Sequence, residues 1–131
     1  MPATFIRQFI YESESWKRLL FFYREENVYY RNRLSELLSD TVSGETLERA
    51  EYFQGHFVMS DETIYWLMNE IHQHKKFLSQ NIAADIHMLE LAIRNQQRLK
   101  NNIVKAEEEL MKLKKEFNDF LAESVVGFIT N

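Results

Sequence analysis

The feature that most constrains the fold is a stripe of apolar residues from Leu89 to Phe120, spaced alternately three and four positions apart. Nine of its ten positions are apolar, and Gln96 is the exception. This spacing places side chains on one face of a helix and is typical of helices that pack lengthwise against other helices. It predicts a long helix over about Ala83–Leu121. The stripe comprises Leu89, Ala92, Gln96, Leu99, Ile103, Ala106, Leu110, Leu113, Phe117 and Phe120.

Two earlier stripes with the same rhythm predict two more long helices, over about Glu12–Ser39 and Glu45–Ser79. Ser43 is suited to cap the N-terminus of the second. The rhythm continues through the middle of this second stripe and favours one helix, but Gly55 is unfavourable inside a helix and the run Ser60–Asp61–Glu62 is typical of a helix start. A break between Gly55 and Ser60, which would give four helices, therefore stays open.

The composition agrees with an all-α fold. Pro2 is the only proline among 131 residues and only three glycines occur, whereas β and α/β chains need many more turn-forming residues. We therefore predict that residues 1–131 form a single domain, an antiparallel, left-handed bundle of three long helices. The apolar segments 1–11 and 122–131 fall outside the stripes, and we expect them to pack on the bundle or on a second copy.

Charge and hydropathy exclude several classes of partner. The formal net charge of −4 gives no general attraction for nucleic acid, and the one basic, amide-rich stretch, Arg94–Asn102, contains only three cations. No apolar run approaches the ~20 residues of a membrane span, and no secretion signal is visible. We therefore expect a cytoplasmic protein that binds neither nucleic acid nor membrane. The absence of cysteine excludes disulfides and thiolate metal sites.

The histidines give no pattern typical of a metal site. His72 and His74 are two positions apart, about 200° round a helix, so they cannot both face one ion. No Glu-x-x-His, glycine-rich phosphate loop or Gly-x-Ser-x-Gly occurs, so we expect no metal, no cofactor and no catalytic residue. His72 and Lys75 do have the His-x-x-Lys spacing of histidine phosphotransfer bundles. The favoured interpretation of these two residues is an ordinary polar helix face.

Three polar residues lie at stripe positions and form a candidate polar core: Asn27, Ser60 and His74. Asn27 and Ser60 come level in an antiparallel pair of helices, where polar residues can fix the register. The alternative is a small ligand pocket near Asn27. We expect His74 to be a core-edge histidine that hydrogen-bonds a neighbour such as Glu12 or Ser13.

Four aromatic residues, Phe21, Phe22, Tyr65 and Trp66, lie in segments that are apolar over more than one stripe. The polar stretch Arg94–Asn102 is predicted opposite them and cannot cover them all. We expect a second copy to cover them through a two-fold interface. The alternative is that the N-terminal segment folds over them within one chain.

These observations favour a non-enzymatic helical interaction or assembly module that self-associates as a homodimer. The alternative is a signalling or ligand-sensing bundle, which would use either phosphotransfer at His72 or the pocket near Asn27.

Overall fold

The structure is a computed structural model that describes residues 2–40, 43–80 and 82–130, with side chains described for 3–40, 43–80 and 82–124. The chain forms three long helices, α1 (Pro2–Leu38), α2 (Gly44–Leu78) and α3 (Ile86–Thr130). A short 3₁₀ turn at Ile82–Ala84 precedes α3. No strand occurs in the described ranges, so the predicted all-α bundle is confirmed. No described helix has an apolar stretch long enough to cross a membrane.

The break considered within α2 is absent, because the helix runs without interruption through Gly55 and Ser60. Phe53 and Phe57 on either side of Gly55 are buried in the core. Burial of two such side chains outweighs the ~1 kcal/mol that glycine costs inside a helix. Ser43 caps the helix as predicted, since its hydroxyl accepts a hydrogen bond from the Thr46 amide at 3.1 Å.

The predicted start of α1 near Glu12 is wrong, because the helix already begins at Pro2. The N-terminal segment is therefore not a separate element but the first turns of α1. Its apolar residues are partly buried at the far end of the bundle, where α2 ends and α3 begins. This tertiary packing stabilises the additional helical turns. The residues in this contact are Ile6, Phe9 and Ile10 of α1, with Leu78, Ile82 and Ala92.

Both predicted ends of α3 are displaced. The helix begins at Ile86 rather than Ala83, since the 3₁₀ turn precedes it and the Asp85 carboxylate accepts a bond from the His87 amide at 2.9 Å. A capping carboxylate satisfies a backbone donor that the first turn leaves free. The helix also continues to Thr130, beyond the predicted Leu121. The predicted contacts of segment 122–131 fall largely outside the described side chains.

Successive helices are antiparallel, and α1 and α3 run parallel. The cross-helix pairs that define this arrangement are Glu14–Lys75 and Asn27–Ser60 between α1 and α2, and Arg49–Glu123 and Glu70–Arg98 between α2 and α3. The second connection extends to Asp85 and shifts the register of α3. The polar stretch Arg94–Asn102 therefore lies beside Glu70 and His74, and of the four aromatic residues predicted opposite it only Trp66 borders it.

The core is built in layers along the bundle axis. An aromatic layer surrounds fully buried Phe117, which contacts Phe53, Tyr30 and Phe57 with ring centroids 5.3, 5.5 and 5.1 Å apart. Edge-to-face and tilted arrangements of this kind are favourable for aromatic pairs. An aliphatic layer follows at mid-bundle, made of Leu20, Ile64, Leu67, Ile71, Ile103 and Ala106. The three stripes recognised in the sequence supply these layers.

Candidate functional site

The four aromatic residues of the predicted interface are all exposed. Phe21, Phe22, Tyr65 and Trp66 retain 49, 55, 75 and 51% of their accessible surface. Successive residues of a helix are turned by about 100°, so each of these side chains points away from the core stripe of its own helix. Their exposure follows from this geometry, and not from the sparse polar stretch of α3 as the sequence interpretation assumed. The N-terminal segment continues α1 away from them, so the alternative that this segment covers them within one chain is wrong.

Phe21 and Tyr65 border the same face of the bundle. Phe21 lies seven residues, or two turns, after Glu14, which pairs with a lysine of α2. Tyr65 lies four residues after Asp61, whose carboxylate bonds two residues of α1. Both aromatic rings therefore stand on the outer side of the α1–α2 junction.

Phe22 lies on the opposite, α3 flank of the outer side of α1, and Trp66 lies elsewhere, so the four residues do not form one patch. Phe22 borders a cleft of about 180 Å³ between α1 and α3, together with Lys114. Trp66 borders a different cleft, between α2 and α3, beside Asn95 and Arg98. Adjacent residues on a helix face different directions, which the sequence interpretation overlooked when it grouped them by segment.

The sequence analysis missed Val28 and Tyr29, which are 40 and 59% exposed on the outward side of α1. The available signal was a repeat of apolar pairs. Phe21–Phe22 and Val28–Tyr29 are seven residues apart, and neither pair is needed for the core stripe. A seven-residue repeat outside the core stripe marks a second apolar side of the same helix.

His74 belongs to a buried polar network that joins all three helices. Its Nε2 lies 2.7 Å from Gln96 Oε1, while Gln96 Nε2 donates to the Glu12 carboxylate at 3.0 Å and to the Phe9 carbonyl at 3.3 Å. Carboxylate and carbonyl oxygens can only accept, so the Gln96 oxygen must face His74. The proton of the neutral imidazole is therefore on Nε2.

The environment keeps His74 uncharged. Burial lowers the pKa of His74 below its usual 6.5 and outweighs the hydrogen bond to Gln96, which acts in the opposite direction. Its Nδ1 atom is buried without a hydrogen-bond partner among the described residues. Protonation would place an unpaired donor there, which is costly. The predicted partners lie close by, but Gln96 stands between His74 and Glu12, and Ser13 bonds the Phe9 carbonyl instead.

Asn27 and Ser60 are brought together in a second polar network, between α1 and α2. The Asn27 side-chain amide donates to Ser60 Oγ at 2.9 Å and to Asp61 Oδ1 at 3.0 Å. Arg31 pairs with the other oxygen of Asp61. Both amide protons of buried Asn27 are committed within this network, so Asn27 offers no donor to the cleft beside Phe22, which it lines with Tyr23 and Tyr30. The arrangement fixes the α1–α2 register.

Two polar contacts of α1 near α3, at Tyr23 and at Glu26, were not anticipated. Burial and the neighbouring carboxylates of Glu107 and Glu26 raise the pKa of Tyr23 to about 12, so its phenol stays protonated. Lys114 lies 2.8 Å from Glu26, and this hydrogen bond raises the pKa of Lys114. Both groups therefore keep their ordinary protonation states at neutral pH, which suits structural links.

His72 is exposed on α2, as phosphotransfer would need. Lys75, however, pairs with Glu14 at 3.4 Å, so a carboxylate adjoins the cation that would offset phosphoryl charge. In the basic stretch, Arg98 is bonded to Glu70 at 2.7 Å. Within the described residues no group of three or more histidine, aspartate or glutamate side chains is placed to hold a metal ion.

Comparison with known proteins assigns the chain to no family. No family model, curated protein or solved structure matches the chain. Its place among the all-α three-helix bundles therefore depends on its own structure.

Proposed function

We propose that this chain is a non-enzymatic helical interaction module that associates with a second copy of itself. The observation that carries the proposal is the exposure of large aromatic side chains at mid-bundle, on and beside the outer side of α1: Phe21, Phe22, Tyr29 and Tyr65. Burying one such side chain is worth about 1.5–3 kcal/mol. Clusters of this kind on a protein surface commonly mark a binding site for another protein.

The buried polar groups support a structural rather than a chemical role for the interior. Asn27 has donated both amide protons, His74 is held neutral, and Tyr23 is held protonated. Catalytic acids and bases instead need pKa values near the working pH. The interior is therefore suited to keep the three helices in fixed positions, and the outward aromatic residues are left to bind.

Sedimentation velocity of the purified chain tests this proposal. Over roughly 1–100 μM, a range that covers common dimer affinities, we expect a shift from monomer to dimer. A Phe21→Gln, Phe22→Gln variant should remain monomeric, because glutamine preserves helix propensity but removes the aromatic surface. Met59→Gln is the matched control, since Met59 is 61% exposed on α2 away from this face, and it should dimerise normally.

Circular dichroism of each variant verifies that the helices are retained. A wild-type chain that sediments as a monomer over the whole concentration range contradicts the proposal.

A further inference from the structure

We propose that the second copy binds through an antiparallel contact between the two α1 helices, on a two-fold axis that passes between Phe21 and Phe22. The inference rests on the proposed function and specifies which face binds and in which orientation.

The first observation is a second stripe on α1, opposite its core stripe. Leu20 and Asn27 of the core stripe are buried. The opposite side consists of exposed residues with the same three-four spacing: Arg18, Phe21 and Phe22, Glu25, Val28 and Tyr29. A helix with two such seams packs on its own bundle with one and presents the other to a further helix.

The second observation is the order of charges along this stripe. Arg18 and Glu25 are seven residues apart, and their midpoint lies between Phe21 and Phe22. An antiparallel pair centred on this midpoint places each Arg18 level with Glu25 of the second copy, so two opposite-charge pairs form. A parallel pair in register would instead place Arg18 against Arg18, which is repulsive. Charge order of this kind selects both the partner and its orientation.

The apolar residues obey the same symmetry. The two-fold axis lies in the plane of the interface and crosses α1 at right angles. Rotation about it brings the α2 flank of one copy beside the α2 flank of the other, and the α3 flank beside the α3 flank. Phe21 then packs beside Phe21 of the second copy on the α2 flank, where Tyr65 adds a further ring. Phe22 meets its own equivalent on the α3 flank. Trp66 borders the α2–α3 cleft and stays outside this contact.

The surface available is large enough for a dimer. Phe21, Phe22, Tyr29 and Tyr65 are about half to three-quarters exposed. At about 150–250 Å² for a whole aromatic side chain, they bring roughly 360–600 Å² per copy. The stems of Arg18 and Glu25, with Val28, extend this area towards the ~800 Å² that each partner contributes to a standard interface.

Charge reversal tests the orientation directly. Arg18→Glu alone gives two Glu–Glu contacts across the axis, and Glu25→Arg alone gives two Arg–Arg contacts. We expect each variant to dimerise at least about tenfold more weakly than the wild type. An equimolar mixture of the two variants restores both opposite-charge pairs and should form a heterodimer with near wild-type affinity.

Lys105→Glu is the matched control, because Lys105 is an exposed cation on α3 outside the proposed contact. Its sedimentation should follow that of the wild type. Arg18 and Glu25 are both exposed, so their reversal leaves the core intact, and circular dichroism checks this for each variant.

A distance measurement gives an independent test. The chain has no cysteine, so Asn32→Cys provides one spin-label site on exposed α1. In the antiparallel arrangement the two labelled residues are separated by roughly 30 Å along the helices, whereas in a parallel arrangement they are adjacent. Double electron–electron resonance distinguishes the two.

The outcomes separate this inference from the proposed function. Weakening by each single reversal, restoration in the mixture and a long label distance support it. If the wild type dimerises but neither charge reversal weakens the dimer, or if the label distance is short, the inference is overturned while self-association stands. A monomeric wild type overturns both.

Discussion

Replacement of Gln96 by leucine tests whether the buried network around His74 holds the three helices together. Leucine is close to glutamine in size and suits a position in the apolar stripe of α3. It therefore preserves packing and removes only the hydrogen bonds. If apolar burial alone determined stability, Gln96→Leu would be neutral or stabilising.

The structure predicts the opposite result. Without the Gln96 oxygen at 2.7 Å, the Nε2 proton of buried His74 has no acceptor. An unsatisfied buried donor costs about 1–3 kcal/mol. Glu12 is partly exposed, so its carboxylate can turn to water at little cost. We therefore expect Gln96→Leu to lower the free energy of unfolding by about 2 kcal/mol.

A double-mutant cycle separates the bond from other effects. His74→Leu alone leaves the Gln96 oxygen unsatisfied and should cost a similar amount. The double variant replaces both partners by apolar groups, which is nearly neutral in comparable cases. The two single costs, about 2 kcal/mol each, should therefore sum to about 4 kcal/mol more than the cost of the double variant.

Urea unfolding followed by circular dichroism measures these values. The free energy of unfolding decreases by about 1–3 kcal/mol for each 1 M urea. A cost of about 2 kcal/mol should therefore lower the unfolding midpoint of each single variant by about 1 M. The reasoning is refuted if Gln96→Leu leaves the midpoint unchanged, or if the two single effects simply add in the double variant.

Three further predictions concern stability. Phe117→Ala should lower the free energy of unfolding by about 3–5 kcal/mol, because Phe117 is fully buried among other rings; a loss below about 1 kcal/mol in urea titration would contradict the packing described. Because burial lowers the pKa of His74, the unfolded chain binds more protons than the folded chain as the pH falls through about 6.5. The free energy of unfolding should therefore be highest above this pH and decrease below it. Between about pH 7.5 and pH 5.5 the urea midpoint should fall further in the wild type than in His74→Leu; equal falls would reject His74 as the cause. Gly55→Ala should raise the free energy of unfolding by about 0.5–1 kcal/mol, since no atom lies within 4 Å of the added methyl group, and thermal unfolding at an unchanged or lower temperature would count against an uninterrupted α2.

The sequence determined the number of long helices and the face that each one buries. The stripe of α3 placed Leu99, Ile103 and Phe117 in the core, and all three are buried. It also identified Ser43 as a cap. These features are local, because the side of a helix on which a residue lies depends only on its spacing from its neighbours.

The tertiary structure decided what each helix meets and where it ends. Gly55 stays helical because buried rings on both sides hold it, and α1 extends to Pro2 because its first turns pack on the far end of the bundle. The partner of His74 depended on the α2–α3 register, which the connection up to Asp85 sets. Loop conformation fixes such a register, and apolar spacing within one helix carries no information about it.

The same distinction applies to the candidate interface. The sequence identified Phe21, Phe22, Tyr65 and Trp66 as more apolar than one core stripe requires. Only the packed bundle shows that Phe21 and Phe22 lie on the outer side of α1 and that Tyr65 lies at its border with α2. Trp66 instead lines the α2–α3 cleft. Which neighbouring helix a side chain faces is determined only when the helices pack together.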